Sequence, residues 1–172
     1  AFVGADTPVG ATGTGSVRTM LQAAVSAAGP SRFLFSDAVP RPALGRYRAA
    51  ARVAVVPSRW ENYPYTCMEA MASGVPVLVT PGGGMAEMIE DGACGWIAAG
   101  ADAASLTVTL RRALATPPDT LKDMGVRAAA RIRSVCDNET VVARHLAFKQ
   151  ALHVQGTRPS PPLVAPLELP EP

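Results

Sequence analysis

Trp60-Glu61-Asn62-Tyr63-Pro64-Tyr65-Thr66-Cys67-Met68-Glu69-Ala70-Met71-Ala72-Ser73-Gly74-Val75-Pro76-Val77 places two carboxylates, Glu61 and Glu69, eight positions apart. Pro64 biases Tyr63 away from helical dihedrals and suits the first position of a helix. The spacing predicts a helix over 65–73, with Gly74 as its left-handed terminator. The apolar run Val75-Pro76-Val77-Leu78-Val79 follows at once as a strand, with Pro76 at its start rather than its middle.

A helix beginning at Pro64 leaves the amides of Tyr65, Thr66 and Cys67 without partners inside the helix. Together with the helix dipole and the Thr66 hydroxyl they suit an anion, best a phosphate. Glu69 lies one turn beyond Tyr65 and Thr66 on the same face and reaches past that anion. A carboxylate that accepts the two hydroxyls of a vicinal diol gains charge-assisted bonds of about 1.5–3 kcal/mol each. Glu61, just before the helix, stands on the other side. One glutamate per sugar, with phosphate between them, describes a nucleotide sugar. Taken singly, each glutamate reads equally well as a surface charge, and Trp60 and Tyr63 as packing; only the joint pattern carries the reading.

Working outward, the chain alternates short apolar strands with helical segments. Ala1-Phe2-Val3-Gly4 reads as the end of a buried strand, so a preceding part of the chain is expected. Residues 5–15 read as a loop with Gly10, Gly13 and Gly15, whose order is wrong for a dinucleotide fingerprint and which no Gly-Lys-Ser/Thr follows. Ser16 suits an N-cap for a helix with Val17, Met20, Leu21, Ala24 and Val25 on one face. Arg32-Phe33-Leu34-Phe35 is expected as a strand, 36–40 as a loop, and Pro42 as the first turn of a helix that shares Leu44 and Tyr47. Arg52-Val53-Ala54-Val55-Val56 has the nearly continuous apolar character of a central parallel strand. Further on come a helix at 85–89, a turn at Asp91-Gly92, a strand at 95–98, a helix capped by Asp102, and helices over 118–136 and 139–153.

Strands separated by helices of this length imply right-handed βαβ units and a parallel sheet covered by helices on both faces. Loops at the carboxyl ends of such strands gather on one edge, where ligands bind. Three of these are 36–39, 57–63 and 80–84. The expected organisation is one α/β domain over 1–154, followed by a disordered tail over 155–172, where six of the last fourteen residues are proline.

Composition narrows the function. With 172 residues the chain is long enough for one such domain. A formal charge of +2 with scattered arginines argues against nucleic acid. Three cysteines, Cys67, Cys94 and Cys136, without a CxxC pair, suit a reduced, cytoplasmic protein. No apolar run is long enough for a membrane span, and the N-terminus lacks the charged start of a signal peptide. His145 and His153 lie on the last expected helix, where they are read as solvated.

Pro57-Ser58, Glu61-Asn62-Tyr63-Pro64, Glu69-Ala70-Met71-Ala72-Ser73-Gly74-Val75-Pro76-Val77 and Gly83-Gly84-Met85-Ala86-Glu87, with Asp91-Gly92 and Gly95, resemble the C-terminal domain of retaining glycosyltransferases of the GT-B fold, the group 1 or family 4 type. The resemblance runs over about residues 1–130. It implies a Rossmann-like half of a GT-B enzyme that transfers a hexosyl group from a nucleotide-sugar donor to a saccharide or lipid-linked acceptor. Glu61, Asn62, Tyr63 and Pro64 would contact the donor sugar, and Tyr65, Thr66 and Gly83 the phosphates. Glu69 would take the ribose hydroxyls, and the loop at Val39 would meet the base. No metal or other cofactor is implied, because side chains and helix dipoles neutralise the diphosphate.

The resemblance further implies an N-terminal acceptor domain and an Arg and Lys diphosphate clamp lying before Ala1. A chain lacking them is expected to transfer little by itself. Peripheral contact with the inner face of the membrane is expected in the full-length enzyme. Pro64 stands where the family has a glycine, a departure at the sugar-side backbone. The alternatives are a non-catalytic nucleotide-sugar-binding module and another GT-B enzyme such as an epimerase.

Overall fold

The computed structural model describes residues 1–9, 15–26, 29 and 32–154. In chain order the elements are β1 (Phe2–Val3), β2 (Pro8–Val9), β3 (Gly15–Ser16), α1 (Val17–Ser26), β4 (Phe35–Ser36), α2 (Arg41–Ala50), β5 (Ala54–Val56), α3 (Tyr65–Ala72), β6 (Val77–Val79), α4 (Met85–Met88), β7 (Gly95–Ile97), α5 (Ala103–Ala115), α6 (Pro118–Cys136) and α7 (Asn138–Val154). The expected tail, Gly10 and Gly13 lie outside the described residues.

The centre is a three-stranded parallel sheet in the order β5-β6-β7. Its middle strand, Val77-Leu78-Val79, is fully buried, as a strand covered on both faces must be. Side chains alternate between the faces. Val77 and Val79 join a cluster with Cys67, Ala70 and Met71 of α3, Met85 and Met88 of α4, and Ala128 and Ile132 of α6. Leu78 joins Trp96, Ala113 of α5, and Leu121 and Met124 of α6 on the other face. Burying a Leu or Met side chain this completely contributes about 1.5–3 kcal/mol, so β6 and its covers form the stable centre. The fold is thus the expected α/β arrangement with helices on both faces.

Helix α3 ends as anticipated. Gly74 has φ +76°; its amide donates to the Met71 carbonyl at 2.9 Å and the Val75 amide to that of Ala70 at 3.0 Å. That is a Schellman closure. Helix α6 crosses this end closely enough that a Cβ on Gly125 would lie 2.1 Å from the Gly74 carbonyl oxygen.

The first fifty residues depart more from expectation. β1 and β4 pair in parallel, Phe2 with Phe35 and Val3 with Ser36, with the two phenyl rings stacked at 4.8 Å. Yet β4 forms no ladder with β5, so the parallel strands stand in two pieces. Residues 32–34 are not strand, and Leu34 is 55% exposed: an apolar run gains nothing from the sheet when nothing covers it. The 5–15 stretch is not wholly loop either, because Pro8–Val9 pairs antiparallel with Gly15–Ser16. Asp6 closes that pair. Its carboxylate accepts from the Thr7 amide at 2.9 Å, the Arg18 amide at 3.0 Å and the Ser16 hydroxyl, while the Ser16 hydroxyl caps α1 through the Thr19 amide at 3.1 Å. On α1 the half-buried stripe is Val17, Leu21 and Val25, and Met20 and Ala24 are exposed.

At the other end of the chain Asp102 caps α5, its carboxylate accepting from the Ser105 amide at 2.9 Å. α7 is exposed along its described side chains, including His145, Phe148 and His153. No helix among the described residues is long and apolar enough to cross a membrane.

Candidate functional site

The loops after β5 and β6 lie against each other. Glu61 forms a parallel bridge with Gly83, and the Gly84 amide donates to the Glu61 carbonyl at 3.0 Å. A Cβ on Gly82, Gly83 or Gly84 would sit 2.0 Å from the carbonyl oxygens of Arg59, Glu61 and Asn62 respectively. Three consecutive glycines are therefore what allows the two backbones to touch. The Thr80 hydroxyl, fully buried, donates to the Ser58 carbonyl, and the Ser58 hydroxyl donates to Glu61 Oε1 at 3.0 Å. Glu61 is thereby fixed through its main chain and its carboxylate.

Of its neighbours, Asn62 is exposed and Pro64 half-buried. The ring of Tyr63 packs against the core, and burial pushes its phenol above the ordinary range. Packing is therefore the right reading for Tyr63. It is the wrong one for Trp60, which is 70% exposed.

Pro64 is the N-cap of α3, with φ −71° and ψ 130°, rather than its first helical residue. Its carbonyl accepts from the amides of Cys67 at 3.0 Å and Met68 at 3.2 Å. This corrects the expectation of three open amides: the proline ring sets φ, but an extended ψ turns its carbonyl into the helix. Cys67 is satisfied, and among the described residues nothing pairs with or caps the N–H groups of Tyr65 and Thr66, which stay open. Both residues are exposed, while Cys67 points inward and is fully buried. Burial raises its thiol to about 12, which removes it as a nucleophile.

Glu69 stands one turn along α3 from Tyr65, held by two arginines from α2. Arg41 donates to Oε1 through Nη2 at 2.6 Å and Nε at 3.1 Å, and Arg48 Nη2 donates to Oε2. The Arg41 hydrogen bond foremost, then the charges of Arg48 and Arg41, hold the Glu69 carboxyl below its usual range, against a desolvation cost. Neither arginine was anticipated from sequence. Their spacing on α2 is visible, but their partner lies 28 and 21 positions away.

Val39 is half-buried two residues ahead of Arg41. Its loop is tied down by Arg18, which pairs with Asp37 at 2.7 Å and donates to the carbonyls of Gly4 and Ser36. The Arg41 and Arg48 pairs thus set α2 against Glu69, and the Glu61–Gly83 bridge sets the loop after β6 against the loop after β5. Among the described residues no cluster of three or more His, Cys, Asp or Glu could hold a metal ion. Two open concavities of about 380 Å³ lie around Gly74 and Lys122, at the opposite end of α3 from the open amides.

The family described as "Glycosyl transferases group 1" matches residues 6–131. The chain is 34% identical over 100 residues to an MMP alpha-(1->4)-mannosyltransferase of Mycolicibacterium hassiacum, covering 58% of this chain and 24% of that protein. It thus spans about a quarter of that relative's length. Among solved structures, sucrose-phosphate synthase from Thermosynechococcus elongatus superimposes with a TM-score of 0.67 at 25% identity, covering 81% of this chain and 35% of that one. The C-terminal domain of the group 1 protein LpcC from Francisella tularensis matches with a TM-score of 0.57 at 18% identity, covering 68% of this chain and 60% of that domain. HepE from Anabaena, solved in complex with UDP-glucose, matches with a TM-score of 0.58 at 19% identity, covering 76% and 36%. With family match, motif spacing and fold in agreement, the chain belongs to the group 1 glycosyl transferases and has the fold of the C-terminal half of a GT-B enzyme.

Proposed function

We propose that this chain is the donor-binding half of a retaining hexosyltransferase that takes a nucleotide-diphosphate sugar as substrate. The observation that carries the reading is a helix start with the open amides of Tyr65 and Thr66, preceded by Glu61 with its glycine backing and followed one turn on by Glu69. Glu69 receives the ribose hydroxyls. The amides and the positive end of α3 receive the diphosphate, with the Gly83 loop closing its far side. Glu61, with the exposed Asn62 and the backbone at Tyr63 and Pro64, receives the hydroxyls of the transferred sugar. The loop at Val39 meets the base. The mannosyltransferase relative and the UDP-glucose complex of HepE are consistent with such a donor.

In this reading the acceptor, a saccharide or lipid-linked sugar, is held by an N-terminal domain outside these residues, which also brings the cationic clamp for the diphosphate. The chain alone transfers little. Transfer needs no metal, because the helix dipole and cations neutralise the leaving diphosphate, and the enzyme works in the cytoplasm, in peripheral contact with the inner face of the membrane.

The test is calorimetric titration of the full-length protein with uridine, guanosine and adenosine diphosphates and their hexosyl derivatives. One nucleotide series binds, and Glu69→Ala weakens it more than tenfold, on the order of two charge-assisted hydrogen bonds. Nucleotide affinity unchanged by that substitution rules out the ribose role.

A further inference from the structure

In the free protein the carboxylate assigned to ribose is already engaged. Oε1 of Glu69 accepts two hydrogen bonds from Arg41, and Oε2 accepts one from Arg48. A carboxylate offers about four acceptor positions. Three are filled, both of those on Oε1 among them, so a vicinal diol finds one place where it needs two. One arginine must leave before ribose can bind through both hydroxyls.

The two arginines are not equivalent. The Arg48 side chain is 21% exposed and sits in the last turn of α2. The Arg41 side chain is 76% exposed, on the first residue of that helix, and Glu69 is its one hydrogen-bond partner among the described residues. An exposed pair is weak, so Arg41 is the side chain that yields. It does not then travel far. It is bonded to Glu69, one turn along α3 from Tyr65, and Tyr65 carries one of the two open amides of α3. The nearest new anion for a released guanidinium is whatever those amides hold, and a guanidinium matches phosphate oxygens in bidentate fashion.

We propose that Arg41 is a donor-exchanged cation: it holds Glu69 in the free protein and passes to the nucleotide's diphosphate when the ribose diol takes its place. The inference rests on the assignment of Glu69 to ribose. It adds a positive charge on the diphosphate that comes from α2, and it makes Arg41 a residue that opposes the nucleoside while favouring the nucleotide. Arg48, which stays, keeps the Glu69 carboxylate aimed in both states.

This opposition gives the test. Wild type and Arg41→Ala, in the full-length protein, are titrated calorimetrically with uridine, guanosine and adenosine and with their 5′-diphosphates, with thermal melting as the check on folding. For the nucleoside that the wild type prefers, Arg41→Ala binds about two- to fivefold tighter, because a partly exposed competing pair has gone. The matching diphosphate binds about tenfold weaker, because a charge-assisted contact has gone. Arg48→Ala weakens both. Equal shifts of nucleoside and diphosphate in Arg41→Ala, or no shift in either, overturn the exchange while leaving Glu69 its ribose. A wild type that binds neither nucleoside nor nucleotide overturns the ribose assignment itself, and the exchange with it.

Discussion

Glu61 and Glu69 are held by different parts of the molecule. Glu61 is fixed from within the central region, by a backbone bridge to Gly83, the Gly84 amide and the Ser58 hydroxyl. Glu69 projects from that same region but is held by side chains of α2, which belongs to the first fifty residues. No described residue before Val56 is buried, whereas β6 and the helices around it hold essentially the whole core. One acid therefore inherits the rigidity of the core, and the other depends on ion pairs to a thinner, more exposed flank. The Glu61 end is pre-set by close backbone contact. The Glu69 end can rearrange, since ion pairs between partly exposed groups are individually weak.

The comparison can be broken at either acid. The largest effect is expected at the Glu61 side. Gly83→Ala brings a Cβ to within 2.0 Å of the Glu61 carbonyl oxygen at a residue with φ +74°. The two loops must separate, and unfolding free energy measured in urea should fall by about 2–4 kcal/mol. A change within about 0.5 kcal/mol, the ordinary surface range, would show that the loops are not laminated as described.

A much smaller effect is expected at the Glu69 side, and it carries a pH signature. The folded protein holds the Glu69 carboxyl below the ordinary value of 4.5, chiefly through Arg41. A depressed carboxyl contributes stability that is fully present above 4.5 and is lost as pH falls through the lowered value. Glu69→Gln should therefore cost about 0.5–1 kcal/mol near neutral pH, as suits partly exposed pairs, and its cost should shrink as pH drops below 4.5. Equal destabilisation at both ends of that range would mean that packing, not charge, is lost.

The same contrast explains what was legible in sequence. α6, α7, the Schellman end at Gly74 and the buried run of β6 all follow from local signals: proline starts, a left-handed glycine, uninterrupted apolar residues. The two glutamates were legible for the same reason, since one loop and one helix carry both. What escaped is tertiary. Gly82-Gly83-Gly84 is legible as part of a loop on the ligand edge, but not as the close packing of that loop on the carbonyls of Arg59, Glu61 and Asn62. Arg41 and Arg48 are only two of the scattered arginines until α2 is laid beside α3. Asp6 gives no hint that it gathers the Ser16 hydroxyl and the Arg18 amide from across the β2–β3 pair. Residues 32–34 misled in the opposite sense, because an apolar run becomes strand only where something covers it.

The central claim, one glutamate for each sugar, is tested most directly by titrating Glu61→Gln and Glu69→Gln, in the full-length protein, with both the preferred nucleotide diphosphate and its hexosyl derivative. Glu69→Gln should weaken both ligands alike, by about tenfold or more, since both carry the ribose. Glu61→Gln should leave the diphosphate unchanged and weaken only the nucleotide sugar. A Glu61→Gln protein that loses the two ligands equally, or a Glu69→Gln protein that loses only the sugar-bearing one, would contradict the account.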